Sequence, residues 1–411
     1  MTASANLNRR TIVENITTLF SGSIVAQGMT ALALLLTARQ LSVAGYGQYA
    51  ACIAITSMAS ILFSLGLDLW LLREGGREPG ELATYAGSVL AIKGSIGIIW
   101  IVVFLLIAPM FNQETYPASL LRWSVLLIWL DTLLATTLTA FKAGVRNRVP
   151  AALEAGADTV WCGLTVGMIF YGVRQPEGYF IGRIIVSTIA LAVGWMLLYR
   201  IFGLRIDITV ARSALHGAFP FATSEFLGMV TMRADVVIVG LILGKIATGL
   251  YSPAVGLINM AFLAPLAVYL VAVPVLSNLY KNHPGQAKKS AGRFILLSLG
   301  LGILLTTGFW AAAPLVMYVL GEAFQGSVAI LRILSLVLIF KSVSFAMAAS
   351  ILATGQQAKR TMVRAAAAAF NIGANLLVVT RVGIDGVAWV YVLTEVILLT
   401  GYSWIVWRIR V

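Results

Sequence analysis

The sequence has few charged residues and very little cysteine or histidine. Charged residues make up 11% of the 411 positions, whereas soluble domains contain about 25%. The two cysteines, Cys52 and Cys162, argue against a disulfide framework and against a cysteine-based metal site. The two histidines, His216 and His283, lie far apart, and no HExxH, GxSxG or GxxxxGK motif occurs. We therefore expect a protein that is not an enzyme and needs no metal or cofactor.

Hydrophobic residues, in contrast, make up 60% of the chain, against about 45–50% in soluble domains. Apolar runs of about 20 residues, long enough to cross a bilayer as a helix, recur throughout the sequence. The sequence thus predicts an all-α membrane protein with about twelve transmembrane helices. The predicted spans are 14–38, 46–71, 83–109, 118–140, 149–171, 177–199, 215–241, 248–279, 291–314, 328–352, 360–380 and 385–407.

Two features refine this prediction. The first span is too long for a cleavable signal segment and lacks a clear cleavage site, so we expect it to remain as a helix. The span 248–279 contains Pro253, Pro265 and Pro274, which predict a kink or an extension beyond the bilayer. The short loops leave no room for a catalytic domain outside the membrane.

The distribution of basic residues predicts the orientation. A net charge of +13 would suggest nucleic acid as the partner of a soluble protein, but in a membrane protein it reflects cytoplasmic loops. With the N-terminus inside, the cytoplasmic segments hold most of the Lys and Arg, with Arg360 and Arg364 counted among them, whereas the external loops hold only Arg39, Arg174, Lys245 and Arg381. We therefore expect a multi-pass protein of a bacterial or archaeal cytoplasmic membrane, with both termini cytoplasmic and no nucleic-acid partner.

A weak internal repeat divides the chain into halves. At an offset of 202 residues, Gly47 matches Gly249 and Tyr49 matches Tyr251, and in both copies a G-x-Y begins a helix after a short turn. Small and aromatic residues at interfacial helix starts would give the same matches without a repeat. The repeat predicts two six-helix lobes, 1–207 and 208–411, with a substrate path between them, as in transporters built from repeats.

Three segments resemble the Wzx-type flippases of polysaccharide biosynthesis, which belong to the multidrug/oligosaccharidyl-lipid/polysaccharide superfamily. They are LLTARQLSVAGYGQYA, FSLGLDLWLLRE and FPFATSEFLGMVTMRADVVIVGLILGKIATGLYSPAVGLINM. The third has a proline at the helix start (Pro220), an Arg–x–Asp stretch (Arg233 and Asp235) and the G-x-Y turn at Gly249.

The resemblance implies a fold and a function. The fold would be two six-helix bundles around a central cavity. The function would be transfer of an oligosaccharide, linked through pyrophosphate to a polyprenyl lipid, from the cytoplasmic to the external leaflet by alternating access. Membrane lipids, that substrate, and the polysaccharide polymerase and chain-length machinery would be the partners.

Ionisable residues inside the spans are the candidate site residues, because each costs a few kcal/mol to insert and should face a cavity or a partner. Cations could grip a pyrophosphate, and carboxylates could bind a coupling H⁺ or Na⁺. The candidate substrate-binding cations are Lys93, Arg183, Arg233 and Lys341. The candidate ion-coupling or ion-pairing carboxylates are Asp131, Asp158, Glu225, Asp235 and Glu395.

A structural role remains open for each of these residues. Lys93 and Asp131 lie at matching depths in neighbouring spans and could form an ion pair. Arg233 and Asp235 are two residues apart and face different sides of a helix, so partners on other spans are expected. Asn371 and Asn375 share a helix face and are expected to form hydrogen bonds between helices.

Two other functions stay open. A cation-coupled multidrug or metabolite exporter of the same superfamily would have a smaller and more acidic cavity. A membrane enzyme of polysaccharide assembly would need a long external loop or a soluble domain, which this sequence lacks.

Overall fold

The structure, a computed structural model, describes residues 9–408, without the side chains of 9–20, 224, 284 and 317. Both chain ends lie outside this range, so the predicted cytoplasmic location of the termini concerns residues that are not described. Sixteen α-helices span the described residues. They are α1 Arg9–Gln40, α2 Val43–Ala59, α3 Ile61–Ser64, α4 Leu67–Arg77, α5 Leu82–Ile107, α6 Ala118–Ala143, α7 Arg148–Phe170, α8 Pro176–Ile201, α9 Ile208–Ile242, α10 Gly244–Ala261, α11 Leu263–Asn282, α12 Pro284–Leu320, α13 Ser327–Ser335, α14 Val337–Ala353, α15 Gln357–Val382 and α16 Ile384–Trp407.

The predicted class is confirmed: the protein is all-α over residues 9–408, and every predicted span is largely helical there, with interruptions in 46–71, 248–279 and 328–352. Ten helical segments in this part of the chain are long and apolar enough to cross a membrane. The other two predicted spans correspond to α7 and α9, each of which carries more than one ionisable residue. Glu154 and Asp158 lie on α7, and Glu225, Arg233 and Asp235 lie on α9.

The helices form two bundles. Unit 1 holds the described residues up to Leu36 together with Ala59–Phe226. Unit 2 holds Thr37–Met58 together with the described residues from Leu227 onward. The helix α2 thus belongs to the same bundle as the second half of the chain, and both α1 and α9 are divided between the units.

Helix α6 is the central element of unit 1, where it packs against α4, α5, α7 and α8. The core that these helices share includes Leu71, Leu133, Phe141 and Leu198, all almost completely buried. Thr136 and Thr137 are also buried on α6, and each hydroxyl donates to the carbonyl four residues earlier. The helix can therefore bury polar residues without leaving their hydroxyls unpaired.

The segment between α8 and α9 is fixed to α5 in unit 1. The Asp207 amide donates to Ser88 Oγ over 3.1 Å, and a side chain on Gly87 would collide with the Arg205 carbonyl. Asp207 caps α9, and its carboxylate accepts from the Thr209 hydroxyl and from the amides of Thr209 and Val210. These hydrogen bonds lower the pKa of the Asp207 carboxyl.

Helix α14 is the central element of unit 2, where it packs against α11, α12 and α16. Its sequence alternates large residues with serine and alanine, so it can be approached closely from several sides. Ala349 packs against Leu276 of α11, and Ala348 packs against Leu398 of α16. On a third side, Gly302 of α12 lies against the backbone of α14.

The predicted spans 46–71 and 248–279 are interrupted helices. The first ends at Ser64, and Leu65 and Gly66 then adopt positive φ values of 50° and 71° before α4 begins. Gly66 is needed there because a Cβ would collide with the backbone of Ala222. The second is divided at Phe262, which lies between α10 and α11. The kink predicted for that span is thus confirmed, whereas the continuous helix predicted over 46–71 is wrong.

The internal repeat reappears in how α2 and α10 cross within unit 2. A side chain on Gly47 would collide with the carbonyl of Lys245, and one on Gly249 would collide with the carbonyl of Val43. The same offset that relates Gly47 to Gly249 relates Val43 to Lys245, so each helix presents its glycine to the other's backbone. The G-x-Y motif of each half therefore marks one half of a symmetric helix crossing.

This crossing predicts that alanine is not tolerated at either glycine. Gly47→Ala or Gly249→Ala places a methyl group against backbone that cannot move aside, as overpacking does, at a cost of about 1–3 kcal/mol or more. We expect a lower melting temperature of the purified protein and a lower level in the membrane.

Gly94→Ala is the matched control, because a Cβ on Gly94 of α5 meets nothing within 4 Å. Replacing a mid-helix glycine with alanine in open space stabilises by about 0.5–1 kcal/mol. A Gly47→Ala protein that melts as high as the Gly94→Ala protein contradicts the crossing.

Candidate functional site

Lys93 of α5 is completely buried, and its Nζ lies 2.7 Å from Asp68 Oδ2 of α4. The other Asp68 oxygen accepts from the Thr136 hydroxyl of α6 over 2.6 Å. The expected pairing with Asp131 is therefore wrong. The break at Leu65 and Gly66 starts α4 beside α5, so that Asp68 faces Lys93, whereas an unbroken span would carry Asp68 elsewhere. Lys93 is completely buried and the Asp68 side chain is 22% exposed, and their pairing favours a structural role for Lys93.

The other candidates of unit 1 meet where α6, α7 and α8 pack together. Arg183 Nη1 lies 2.7 Å from Asp158 Oδ1, and the guanidinium carbon lies 5.8 Å from the centre of the Trp161 ring. One turn further along α8, the Ser187 hydroxyl donates to Asp131 Oδ1 over 2.7 Å. This group of four polar side chains contains two carboxylates and one cation.

Glu225 lies apart from that group, near the break in the chain after α3. Its Oε1 accepts from the Ser64 hydroxyl over 2.9 Å, and no described residue supplies a hydrogen-bond partner for Oε2.

Asp235 and Arg233 lie on α9 within unit 2. The Tyr251 hydroxyl of α10 donates to Asp235 Oδ2 over 2.7 Å, and the Val236 amide donates to Oδ1. The partner of Asp235 on another helix is thus the tyrosine of the second G-x-Y motif. Arg233 lies within electrostatic range of Asp235, Tyr46 and Tyr391. The structure therefore surrounds this arginine with tyrosines of α2 and α16.

Lys341 and Glu395 join α14 to α16, with 2.6 Å between Nζ and Oε1. The ammonium also lies 5.1 Å from the centre of the Phe262 ring, at the junction of α10 and α11. Glu395 is completely buried, and no described residue is a hydrogen-bond partner for its Oε2.

This pair lines a small cavity of about 90 Å³ in unit 2. Two further cations, Arg360 and Arg364 of α15, also line it. Hydroxyl groups complete the polar lining, from Thr231, Ser344 and Tyr402. The charged lining is therefore three cations and one carboxylate.

The predicted hydrogen bond between helices is confirmed for Asn371 of α15, whereas Asn375 bonds within its own helix. Asn371 Nδ2 donates to the Thr394 hydroxyl of α16 over 3.0 Å, and Asn375 Nδ2 donates to Asn371 Oδ1. Both asparagines are buried.

The structure brings together residues that the sequence analysis had not singled out. Asp68 was missed because its span was taken as continuous, and Arg360 and Arg364 were counted with a cytoplasmic loop. The signal for the arginines was their spacing of four at the start of an apolar run, which places both on one helix face. Ser187 and Tyr251 carried no such signal, because uncharged polar residues are common in membrane helices.

The comparisons with known proteins agree with this architecture. The family model of polysaccharide biosynthesis proteins matches residues 12–280. The chain belongs to this family. Polysaccharide biosynthesis proteins of this kind are part of the multidrug/oligosaccharidyl-lipid/polysaccharide (MOP) superfamily of membrane transporters. A search of curated proteins by sequence gave no match.

Solved structures share the fold of this polysaccharide biosynthesis protein. One is the inward-facing conformation of a multidrug resistance MATE transporter, with a TM-score of 0.70 at 13% identity over 94% of this chain and 93% of that one. A variant of the Vibrio cholerae MATE transporter VcmN gives 0.66 at 16% identity over 97% and 96%. A MOP superfamily transporter of Pyrococcus furiosus gives 0.65 at 14% identity over 95% and 94%.

The pairing of Lys93 with Asp68 predicts how substitutions will behave. Lys93→Met leaves the Asp68 carboxylate inside the bundle without its cation, and removing one partner of a buried pair costs about 3–5 kcal/mol. We expect little folded protein in the membrane and a lower melting temperature. Lys93→Met/Asp68→Asn removes both charges and should regain both the melting temperature and the level in the membrane. A double variant as unstable as Lys93→Met would contradict a structural role for this pair.

Proposed function

We propose that this protein carries a polyprenyl-pyrophosphate-linked oligosaccharide repeat unit across the cytoplasmic membrane for the export of a polysaccharide. The observation that carries the proposal is the match of residues 12–280 to polysaccharide biosynthesis proteins in a chain whose fold is that of MOP transporters. A polysaccharide biosynthesis protein that consists of membrane helices is expected to act on a substrate that is anchored in the membrane. Lipid-linked sugar units are such components.

The charges inside the bundles support an anionic cargo. The cavity beside Lys341 is lined by three cations and one carboxylate, and a pyrophosphate requires such positive charge. Pockets that enclose drug-sized molecules measure about 300–1,000 Å³, whereas this cavity measures about 90 Å³. A small cationic cavity suits part of a charged headgroup better than a whole drug molecule.

The proposed movement is alternating access between two repeated halves. Transporters built from repeats alternate by moving one bundle against the other around a fixed site. The matching glycines of α2 and α10, each of which lies against the other helix's backbone, support such a repeat. The lipid tail would remain in the bilayer, and the polysaccharide polymerase and chain-length machinery would receive the glycan on the external side.

The coupling ion would be bound by a deep carboxylate that accepts a hydrogen bond from a hydroxyl. Asp131 is the leading candidate, because its oxygen accepts from Ser187 while the neighbouring Arg183 contacts Asp158 at 2.7 Å. Two carboxylates beside one cation have a net negative charge, and binding of a proton or a sodium ion would neutralise it.

A second candidate function is export of drugs or metabolites coupled to a cation. The similarity of the fold to multidrug MATE transporters favours it, and the deep carboxylates of both units fit a coupling role. A membrane enzyme of polysaccharide assembly is a weaker candidate, because neither the family nor the similar structures are enzymes.

Deleting the gene in its host tests the proposal directly. We expect loss of one surface polysaccharide and accumulation of its lipid-linked repeat units in the cytoplasmic leaflet, because synthesis would continue while transfer stops. The measurement is extraction and mass spectrometry of polyprenyl-linked glycans, together with an assay of surface polysaccharide.

Expression of the wild-type gene in the deletion strain should reverse both effects. Normal surface polysaccharide in the deletion strain, accompanied by greater sensitivity to drugs, would reject the flippase and support the exporter.

A further inference from the structure

Two arginines of α15 face the cavity of unit 2 without carboxylate partners. Arg360 and Arg364 are four residues apart, so their side chains share one helix face and repel each other. Neither forms an ion pair with a carboxylate whose side chain is described. Arg360 also lies in the first turn of the helix, where the helix dipole disfavours a cation. Glu395, the one carboxylate of the described lining, pairs with Lys341, so the described lining carries more positive than negative charge.

The cavity also contains buried polar atoms that lack partners. In the described part of the chain, Arg360 Nε, Ser344 Oγ and Glu395 Oε2 have no hydrogen-bond partner. Ser344 and Glu395 are 4% and 0% exposed, and all three side chains line the same cavity. Buried polar groups in native proteins are normally satisfied, so these atoms are available to ordered water or to a bound polar ligand.

The neighbouring Lys359 shows what an ordinary interfacial cation looks like at the same helix end. Its side chain is exposed, and its ammonium donates to Gln356 over 2.8 Å. Arg360 and Arg364, in contrast, are half-buried and turned into the bundle. Their position is therefore not explained by solvation of a cytoplasmic helix end alone.

The size of the cavity limits the ligand. Its volume of about 90 Å³ is several times the roughly 10–15 Å³ that one water molecule needs. It is well below the roughly 300–1,000 Å³ of pockets for drug-sized ligands, so a phosphate group suits it better than a sugar chain or a drug. Guanidinium groups bind phosphate oxygens in bidentate fashion, and the Ser344 and Thr231 hydroxyls can donate to further oxygens.

We propose that Arg360, Arg364 and Lys341 form an anion site that binds one phosphate group of the lipid-linked substrate. The assignment rests on the proposed function for the identity of the ligand, and on the predicted orientation, which puts the start of α15 at the cytoplasmic side. A phosphate bound there would lie on the cytoplasmic side, where the lipid-linked substrate is synthesised and enters the transporter. Glu395 holds Lys341 while the site is empty, and it is the one carboxylate among the described lining residues.

Binding to the purified full-length protein in nanodiscs tests the site. The probes are inorganic phosphate, inorganic pyrophosphate and a polyprenyl pyrophosphate, and the measured quantity is Kd. Arg360→Ala and Arg364→Ala should each raise Kd for the polyprenyl pyrophosphate about tenfold or more, as loss of a charge-assisted contact does. Arg364→Lys keeps the charge without the bidentate geometry and should give an intermediate Kd.

Two matched variants sharpen the result. Lys359→Ala removes the same charge one residue away from Arg360, and its Kd should stay within about twofold of the wild type, as expected for an exposed charge. Glu395→Gln removes the carboxylate of the lining, and its Kd should fall because the repulsion of the phosphate is removed. Wild-type Kd in both arginine variants, or an equal effect of Lys359→Ala, would overturn the site.

The probes separate the two possible sources of phosphate. Competition between inorganic pyrophosphate and polyprenyl pyrophosphate supports a headgroup site, whereas binding of inorganic phosphate that the lipid does not displace overturns that assignment. Failure of the site and failure of the proposed function are also distinguishable. If binding depends on the arginines but deletion of the gene causes no accumulation of lipid-linked glycan, only the proposed function is rejected. If deletion causes accumulation but the arginine variants remain fully active, only the site is rejected.

Discussion

The cost of a charge inside the bilayer is the constraint on which this structure depends. Each deep ionisable group needs a partner, and the partners join helices that are separate in sequence. Lys93 joins α5 to α4, Arg183 joins α8 to α7, and Lys341 joins α14 to α16. The same bonds that neutralise charge thus fix the arrangement of helices within each bundle. Arg360 and Arg364 stand out against this pattern, because the described residues give them a shared cavity and no carboxylate.

The two bundles solve the packing problem in related ways. In unit 1, α6 lies at the centre and carries buried threonines, and in unit 2, α14 lies at the centre and carries serine and alanine. Small and hydroxyl-bearing residues let several helices approach one central helix closely, and their hydroxyls bond to their own backbone. Transport requires a polar interior that remains stable in lipid. Thr137 of α6 and Ser342 of α14 donate to their own backbone in this way, whereas Ser344 of α14 has no hydrogen-bond partner among the described residues.

The number, type and approximate bounds of the spans could be predicted from the sequence, because insertion in a bilayer depends on the local run of apolar residues. The identity of the ion-pair partners could not. Similar depth in the membrane suggested that Lys93 pairs with Asp131, but Lys93 pairs with Asp68, which follows the helix break at Leu65 and Gly66. That break depends on the close approach of Gly66 to Ala222, which is distant in sequence, so no local sequence pattern predicts it. Arg360 and Arg364 were counted as loop cations, since depth near a helix end depends on how neighbouring helices extend past it. The fold class depends on composition, whereas the arrangement of the site residues depends on a few breaks and bends in the helices.

The crossing of α2 and α10 has a consequence for how this protein can change over time. Each glycine faces main-chain atoms of the opposite helix, and main-chain atoms are the same whatever residue occupies a position. No second mutation can trim them to make room for a side chain at Gly47 or Gly249. Most interior contacts can drift by paired substitutions, one residue growing as another shrinks. At this crossing no paired substitution can compensate for a larger residue, so both positions must remain glycine for as long as the helices cross.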